Sequence, residues 1–216
     1  MALSADSEKI VEAIWNHIAE LHAEWKTLIQ LFGVSQAQSD FLNKKAGDFF
    51  ETVHQTLIRD ILLGISRLTD PLSTAGKDNL VLERLLQLPE VVANSTLSSK
   101  VAAQLIEVKA QAGPIRDYRN KYLAHLDLVA SLAPGSDVLP GIARQDIDGV
   151  LESFSDLFNL IEQTLQDRTV AFKRISIHGG PEDLLKHLED AESWQRLSFP
   201  ERRRIGRRVD AASRDE

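Results

Sequence analysis

KIVEAIWNHIAELHAEWKTLIQLFG, Lys9 to Gly33, decides the fold class. Ile10, Ile14, Ile18, Leu21, Trp25, Leu28 and Phe32 step by three and four. That spacing lays one apolar stripe along an α-helix, with Gly33 as its stop. Downstream, Phe49, Phe50, Val53, Leu57, Ile61, Ile65 and Leu68 repeat the period. They predict a second helix that starts near Ser39 and ends before Pro71, because proline lacks the N–H and disfavours helix in the residue before it. A third helix carries Val101, Leu105 and Val108, with Ser95 or Ser98 as its cap. Gly113-Pro114 should bend or restart it. Its continuation, IRDYRNKYLAHLDL (Ile115–Leu128), runs into the loop LAPGSDVLPG, residues 132–141. The last strong helix carries Ile147, Val150, Leu151, Phe154, Leu157, Phe158, Ile161 and Leu165.

Four long amphipathic helices with no alternating run predict an all-α, up-and-down helical bundle with short accessory helices. Between the long helices, Pro71–Asn79 reads as a loop, and Leu80–Leu88 as a short helix stopped by Pro89. Lys173–Gly179 suits a short extended piece. A separate short helix follows, with Pro181 near its first turn. The expected organisation is a bundle over residues 1–175, then a short C-terminal helix and an arginine-rich tail over 176–216.

Composition narrows the function. The chain has 216 residues, enough for one good-sized core, and no cysteine. It therefore offers no disulfide, thiolate metal site or cysteine nucleophile, and a reducing, cytoplasmic setting is expected. MALSADSEKI lacks the basic start and apolar block of a secretory signal. No apolar run is long enough for a bilayer, so no membrane partner is expected. A net charge of −7 argues against a general DNA-binding protein. It leaves room for an enzyme that touches one phosphate at a local basic site.

Several candidate sites fail on spacing. Gly76-Lys77 suggests a phosphate loop, but position 71 is Pro where that motif needs Gly, and Asp78 stands where it needs Ser or Thr. Glu51 and His54 have the Glu-x-x-His spacing of di-iron bundles, which need a second such motif that the chain lacks. A di-metal reading survives only if metal sits there, and a partly buried core or interface histidine is the better reading of His54. His17 and His22 are five apart and do not share a helix face as a metal pair would. Arg202, Arg203, Arg204, Arg207 and Arg208 form a basic cluster without interleaved aromatics. A solvated helix end or tail fits it better than a nucleic-acid grip.

Arg116-Asp117-Tyr118-Arg119-Asn120-Lys121-Tyr122-Leu123-Ala124-His125-Leu126-Asp127 remains. Arg followed six positions later by His is a weak pattern alone. Its weight comes from Asn120 directly after the Arg, Asp127 two past the His, and its place late in a helical bundle just before a loop.

RDYRNKYLAHLDL resembles the motif segment of HEPN domains (higher eukaryotes and prokaryotes nucleotide-binding), and more narrowly the abortive-infection U-type branch. That motif is Arg, four to six residues, then His, often with a polar residue after the Arg. Arg119, Asn120 and His125 match it, and Ala124 and Asp127 match the branch. Ser66-Arg67-Leu68-Thr69-Asp70 resembles the branch's Arg-Leu-x-Asp near the end of an earlier helix.

The resemblance implies a metal-independent RNA-cleaving enzyme with no cofactor, in a toxin–antitoxin or phage-defence setting, with a possible antitoxin partner. It also implies a two-fold homodimer with a composite site. The residue types suit such chemistry. His125 has a pKa suited to taking the ribose 2′-OH proton or protonating the leaving oxygen. Arg119 suits the scissile phosphate. Asn120 could orient the phosphate or the His ring, and Asp127 could fix the imidazole tautomer. Arg67 and Asp70, three apart, are expected to pair with each other and support the site, while Arg116 and Arg119 could instead pair with bundle carboxylates such as Asp70 or Asp117.

Residues six apart on an ideal helix lie about 240° apart around the axis. Arg119 and His125 therefore need a distorted helix, a curled arginine, or a meeting across a dimer, and the resemblance favours the dimer. The competing reading is a non-catalytic helical dimer that binds nucleotide, RNA or a protein partner.

Overall fold

Ser4 opens the first helix. Its Oγ accepts the Ser7 backbone N–H at 3.3 Å, meeting one of the donors that every helix start leaves unpaired. The computed structural model describes residues 3–124 and 142–202. Four long helices carry the fold: α1 (Ala5–Phe32), α2 (Gln36–Leu68), α4 (Ser95–Tyr118) and α5 (Arg144–Gln166). The fold is all-α, and among the described residues the strands form one minimal hairpin, β1 (Ser73–Thr74) with β2 (Lys77–Asp78).

α1 and α2 pack antiparallel, joined by the three residues Gly33–Ser35. Ile14, Ile18, Ile61 and Ile65 are fully buried where they meet. α4 and α5 form the second pair, with Val101, Val108, Phe154 and Leu157 fully buried. These stripes close one core, as the three-and-four spacing predicts.

α2 is broken at Ala46, whose φ of −161° and ψ of 69° are extended rather than helical. Before the break, Leu42 joins Leu31 and Phe50 in a small separate cluster. A late helix, α6 (Pro181–Arg196), covers that cluster with Leu185 and Leu188. Lys44 and Lys45 pair with Glu192 at 3.3 and 3.5 Å across the same contact.

Several local expectations need correction. α2 starts at Gln36, capped by Ser35, rather than near Ser39. The cap of α4 is Asn94, whose side chain accepts the Leu97 N–H at 3.0 Å, so Ser95 and Ser98 lie inside the helix. Pro89 does not simply end a helix. A 3₁₀ turn runs from Leu82 to Gln87, and Pro89 then opens the short α3 (Pro89–Val92). Proline fits there because the first helical N–H has no partner to lose.

Gly113-Pro114 does not restart the helix: α4 runs through Pro114 to Tyr118. Pro114 costs one backbone bond to the preceding turn, but Ala112 and Ile115 on either side are fully buried and hold the segment in place. Lys173–Gly179, expected as a short extended piece, starts inside a 3₁₀ turn, Phe172–Arg174, whose Phe172 is buried against the core, and no strand forms over residues 175–179.

The loop read at Pro71–Asn79 is the hairpin. Ala75 and Gly76 take φ of 50° and 76°, the paired positive values of a type I′ turn. Gly76 is thus explained by turn geometry.

Candidate functional site

α2 ends at a buried threonine. Thr69 Oγ1 donates to the carbonyls of Ile65 and Ser66 at 2.9 and 3.1 Å, which pins the exit of the helix. Asp70 follows outside the helix and turns toward α4. Its Oδ1 accepts from Arg119 Nη2 at 2.6 Å and from Arg116 Nη2 at 3.4 Å. The expected Arg67–Asp70 pair does not form: Asp70 lies past the helical C-cap at Thr69, so three-residue spacing no longer puts it on the face of Arg67. Arg67 stays exposed, with no ion pair among the described residues.

The three side chains at Asp70 are roughly three-quarters buried, and the Nε atoms of Arg116 and Arg119 are buried with no hydrogen-bond partner among the described residues. One carboxylate therefore faces two guanidiniums, with Arg67 close by in sequence and Asn120 and Lys121 exposed just beyond. The cluster carries excess positive charge in a chain whose net charge is −7.

At Arg119 the α-helix widens into a π-helical turn that continues to Ala124. Such turns are rare in helices and frequent at functional sites. Helix distortion, one of the three ways of relating Arg119 to His125, is therefore present directly before the histidine. His125 and Asp127 themselves lie outside the described residues.

A cleft of about 370 Å³ opens beside the cluster, between α1, α2 and the residues after the hairpin. Arg67, Asp70 and Asn79 contribute to its lining, and Leu21, Leu68 and Leu80 supply apolar wall. Gly64 lets α1 and α2 approach here, since a Cβ at that position would sit 2.5 Å from Leu21 Cδ2. Glu20, Glu24 and Asp60 also line the cleft. Burial raises the Glu24 carboxyl to about 7, helped by the charges of Asp60 and Glu20 and by a hydrogen bond with Asp60.

None of these three acids lies in a motif of the sequence. Glu20 and Glu24 share a helix face, a signal available beforehand, but the arrival of Asp60 from α2 depends on the packing of two helices.

The other candidates have structural partners. His22 is buried, stacks on Phe172 at 5.5 Å between ring centres, and lies 2.9 Å from Ser155 Oγ. Burial holds its pKa below the ordinary histidine value, aided by Lys173 and opposed by its contact with the Leu151 carbonyl. His17 Nδ1 lies 3.3 Å from Glu20 at the surface. His54 packs edge-on against Phe32 at 4.8 Å, while Glu51 is exposed and accepts from Gln55. Among the described residues no group of three or more His, Cys, Asp or Glu is placed to hold a metal.

Arg202 Nε donates to the Leu197 carbonyl at 2.9 Å, and the remaining tail arginines lie outside the described residues. No helix among the described residues is long and apolar enough to cross a membrane.

No curated protein and no solved structure matches the chain at a significant level. The family model HEPN_AbiU2, described as AbiU2, matches residues 4–190, which span the bundle, the Arg-Leu-x-Asp at Arg67–Asp70, the Arg119–His125 motif and α6 up to Asp190. The chain therefore belongs to the abortive-infection U-type branch of the HEPN superfamily.

Proposed function

We propose that this chain is a metal-independent endoribonuclease of the HEPN type, acting in the cytoplasm in abortive infection or a toxin–antitoxin pair. The observation that carries the reading is the arginine cluster. Arg119, the first residue of the family motif, lies on a π-helical turn beside Arg116 and is oriented by Asp70 at 2.6 Å. A guanidinium oriented in advance binds a phosphate without first losing its own freedom, and it stabilises charge that grows in the transition state.

In this reading the 2′-oxygen attacks the adjacent phosphorus, the P–O5′ bond breaks, and a 2′,3′-cyclic phosphate and a 5′-hydroxyl result. His125 takes the 2′-OH proton or supplies one to the leaving oxygen. Arg119 and Asn120 hold the phosphate, Asp127 fixes the imidazole, and Arg67 and Asp70 support the arginines. A second copy brings its own arginine and histidine to the same cleft, and an antitoxin protein restrains the pair.

One observation favours the non-catalytic reading. Asp70 already occupies a guanidinium nitrogen of Arg119, and a substrate phosphate must share or displace that contact. Cleavage of varied RNAs by purified protein in EDTA decides between them. Activity in the wild type, lost in both Arg119→Ala and His125→Ala, is the expected result. An inert wild type with intact RNA binding supports the alternative.

A further inference from the structure

We propose that Arg116 and Arg119 together form a site for a terminal phosphate, the dianionic monoester at the end of an RNA or nucleotide, and that Asp70 holds its place until it binds. Only the identity of the molecule carrying the phosphate rests on the ribonuclease reading.

The geometry leaves two donors unused. On a guanidinium, Nε and Nη2 point along the same edge and suit two oxygens of one anion. Asp70 engages only half of each edge. Its Oδ1 accepts from Nη2 of Arg119 at 2.6 Å and from Nη2 of Arg116 at 3.4 Å. The Nε beside each contact is buried and has no hydrogen-bond partner among the described residues. Buried donors are nearly always satisfied in folded proteins, so two of them beside one carboxylate are placed to receive a ligand's oxygens. Charge points the same way. Two guanidiniums share Asp70, and neither has another ion pair among the described residues.

Oxygen count and charge select the ligand. Two guanidinium edges that approach one anion from different sides need three free oxygens, one of them shared. A phosphate monoester offers three, and close to two negative charges at neutral pH. A phosphodiester inside a strand offers two free oxygens and a single charge, the same as the carboxylate it must displace. A terminal phosphate therefore improves on Asp70 in both respects, and an internal one in neither.

Asp70 is able to yield. It lies past the C-cap of α2 at Thr69, is 23% exposed, and lines a cleft together with Arg67. A displaced carboxylate meets solvent and a cation there. Until then it keeps both guanidiniums oriented and holds weaker anions off. The competing reading is a permanent ion pair that only braces α2 against α4.

The test is calorimetric titration of the full chain with inorganic phosphate and with dimethyl phosphate, at about pH 8, above the second pKa of a phosphate monoester. Thermal melts confirm that each variant is folded. Inorganic phosphate should bind about tenfold tighter, the ratio that one further charge-assisted hydrogen bond supplies. Arg116→Lys keeps the charge but loses the fork, and should reduce that ratio. Asp70→Asn should tighten phosphate binding, because the competing carboxylate is gone. Two 2′-O-methyl RNAs of one sequence, whose blocked 2′-oxygens prevent cutting, carry the test to RNA. The one with terminal phosphates should bind tighter, by a margin that shrinks in Arg116→Lys.

Equal affinity for the two small probes overturns the site. So does a ratio unchanged in Arg116→Lys, or phosphate binding no tighter in Asp70→Asn than in the wild type. Those last two results are what a permanent brace gives. A terminal-phosphate preference without cleavage of unmodified RNA in EDTA keeps the site and removes the ribonuclease. Cleavage without that preference does the reverse.

Discussion

Replacing Asp70 by Asn tests the arrangement at Arg119 most directly. The carboxylate accepts from two guanidiniums, at 2.6 and 3.4 Å, and is 23% exposed. Removing one partner of a fully buried ion pair costs about 3–5 kcal/mol, because the other charge is left unpaired. A fully exposed pair is worth ~0–1 kcal/mol. Asp70 lies between these limits, nearer the buried one, and an amide retains some acceptor strength, so a loss of about 2 kcal/mol is expected. For a chain of this size that lowers Tm by about 4–8 °C.

The loss has two parts, the missing contacts and the repulsion between Arg116 and Arg119 once the charge between them is gone. Adding Arg116→Gln to Asp70→Asn removes the repulsion and should restore part of the Tm. Arg67→Ala, at an exposed position without an ion pair among the described residues, should stay within about 0.5 kcal/mol of the wild type. Inorganic phosphate should raise the Tm of Asp70→Asn more than that of the wild type, by taking the place of the carboxylate. A Tm shift under about 1 °C for Asp70→Asn would refute the reasoning, since the arginines would then not depend on Asp70.

Three further outcomes can be measured by melting or denaturant titration. Glu90 is buried and accepts from Ser7 Oγ and the Ser4 N–H, both at 2.7 Å, and these bonds hold its carboxyl down at about 2. A carboxyl lowered on folding contributes stability that is present above pH ~4.5 and lost as pH falls through about 2. Glu90→Gln should cost about 1.5–3 kcal/mol at neutral pH and flatten the acid limb of the stability curve. Glu24 works in the opposite sense: raised to about 7 by burial and then by Asp60 and Glu20, it favours the fold below its ordinary value of 4.5, and that contribution disappears as pH rises through about 7. Glu24→Gln should therefore stabilise the chain at pH 8, by only about 1 kcal/mol because solvent screens a half-exposed group. Ala75→Asn should gain about 0.5–1 kcal/mol, because Ala75 holds a φ of 50° that asparagine adopts more readily, and an unchanged midpoint would count against the turn assignment.

The four long helices were legible because their apolar stripes are uninterrupted, and burial follows the stripes at Ile14, Ile18, Ile61, Ile65, Phe154 and Leu157. The errors fall where local signals compete. Proline at 89 follows the end of one helix, as expected, and also opens the next, while Pro114 does not restart the helix it sits in, carried by the burial on either side of it. The arginines and Asp70 stand in two short motifs, and the pairing of Arg116 and Arg119 with Asp70 is the structural alternative that the sequence offers; the Arg67–Asp70 pair expected from spacing fails, because Asp70 leaves the helix before it reaches a partner. The carboxylates of the cleft carried no motif at all. They come together through the close approach of two helices at Gly64, which no pattern along one strip of chain encodes.

The break at Ala46 has a kinetic consequence. It leaves the first turns of α2 attached to the molecule through Leu31, Leu42, Phe50 and the covering α6, a contact set separate from the main core. Regions joined by few apolar contacts open at a lower free energy than the whole molecule. Backbone amides of residues 36–45 and 181–196 should therefore exchange with deuterium together, and earlier than those around Ile61 and Ile65. The molecule would loosen at the end of the bundle far from Arg119 while the arginine cluster stayed closed.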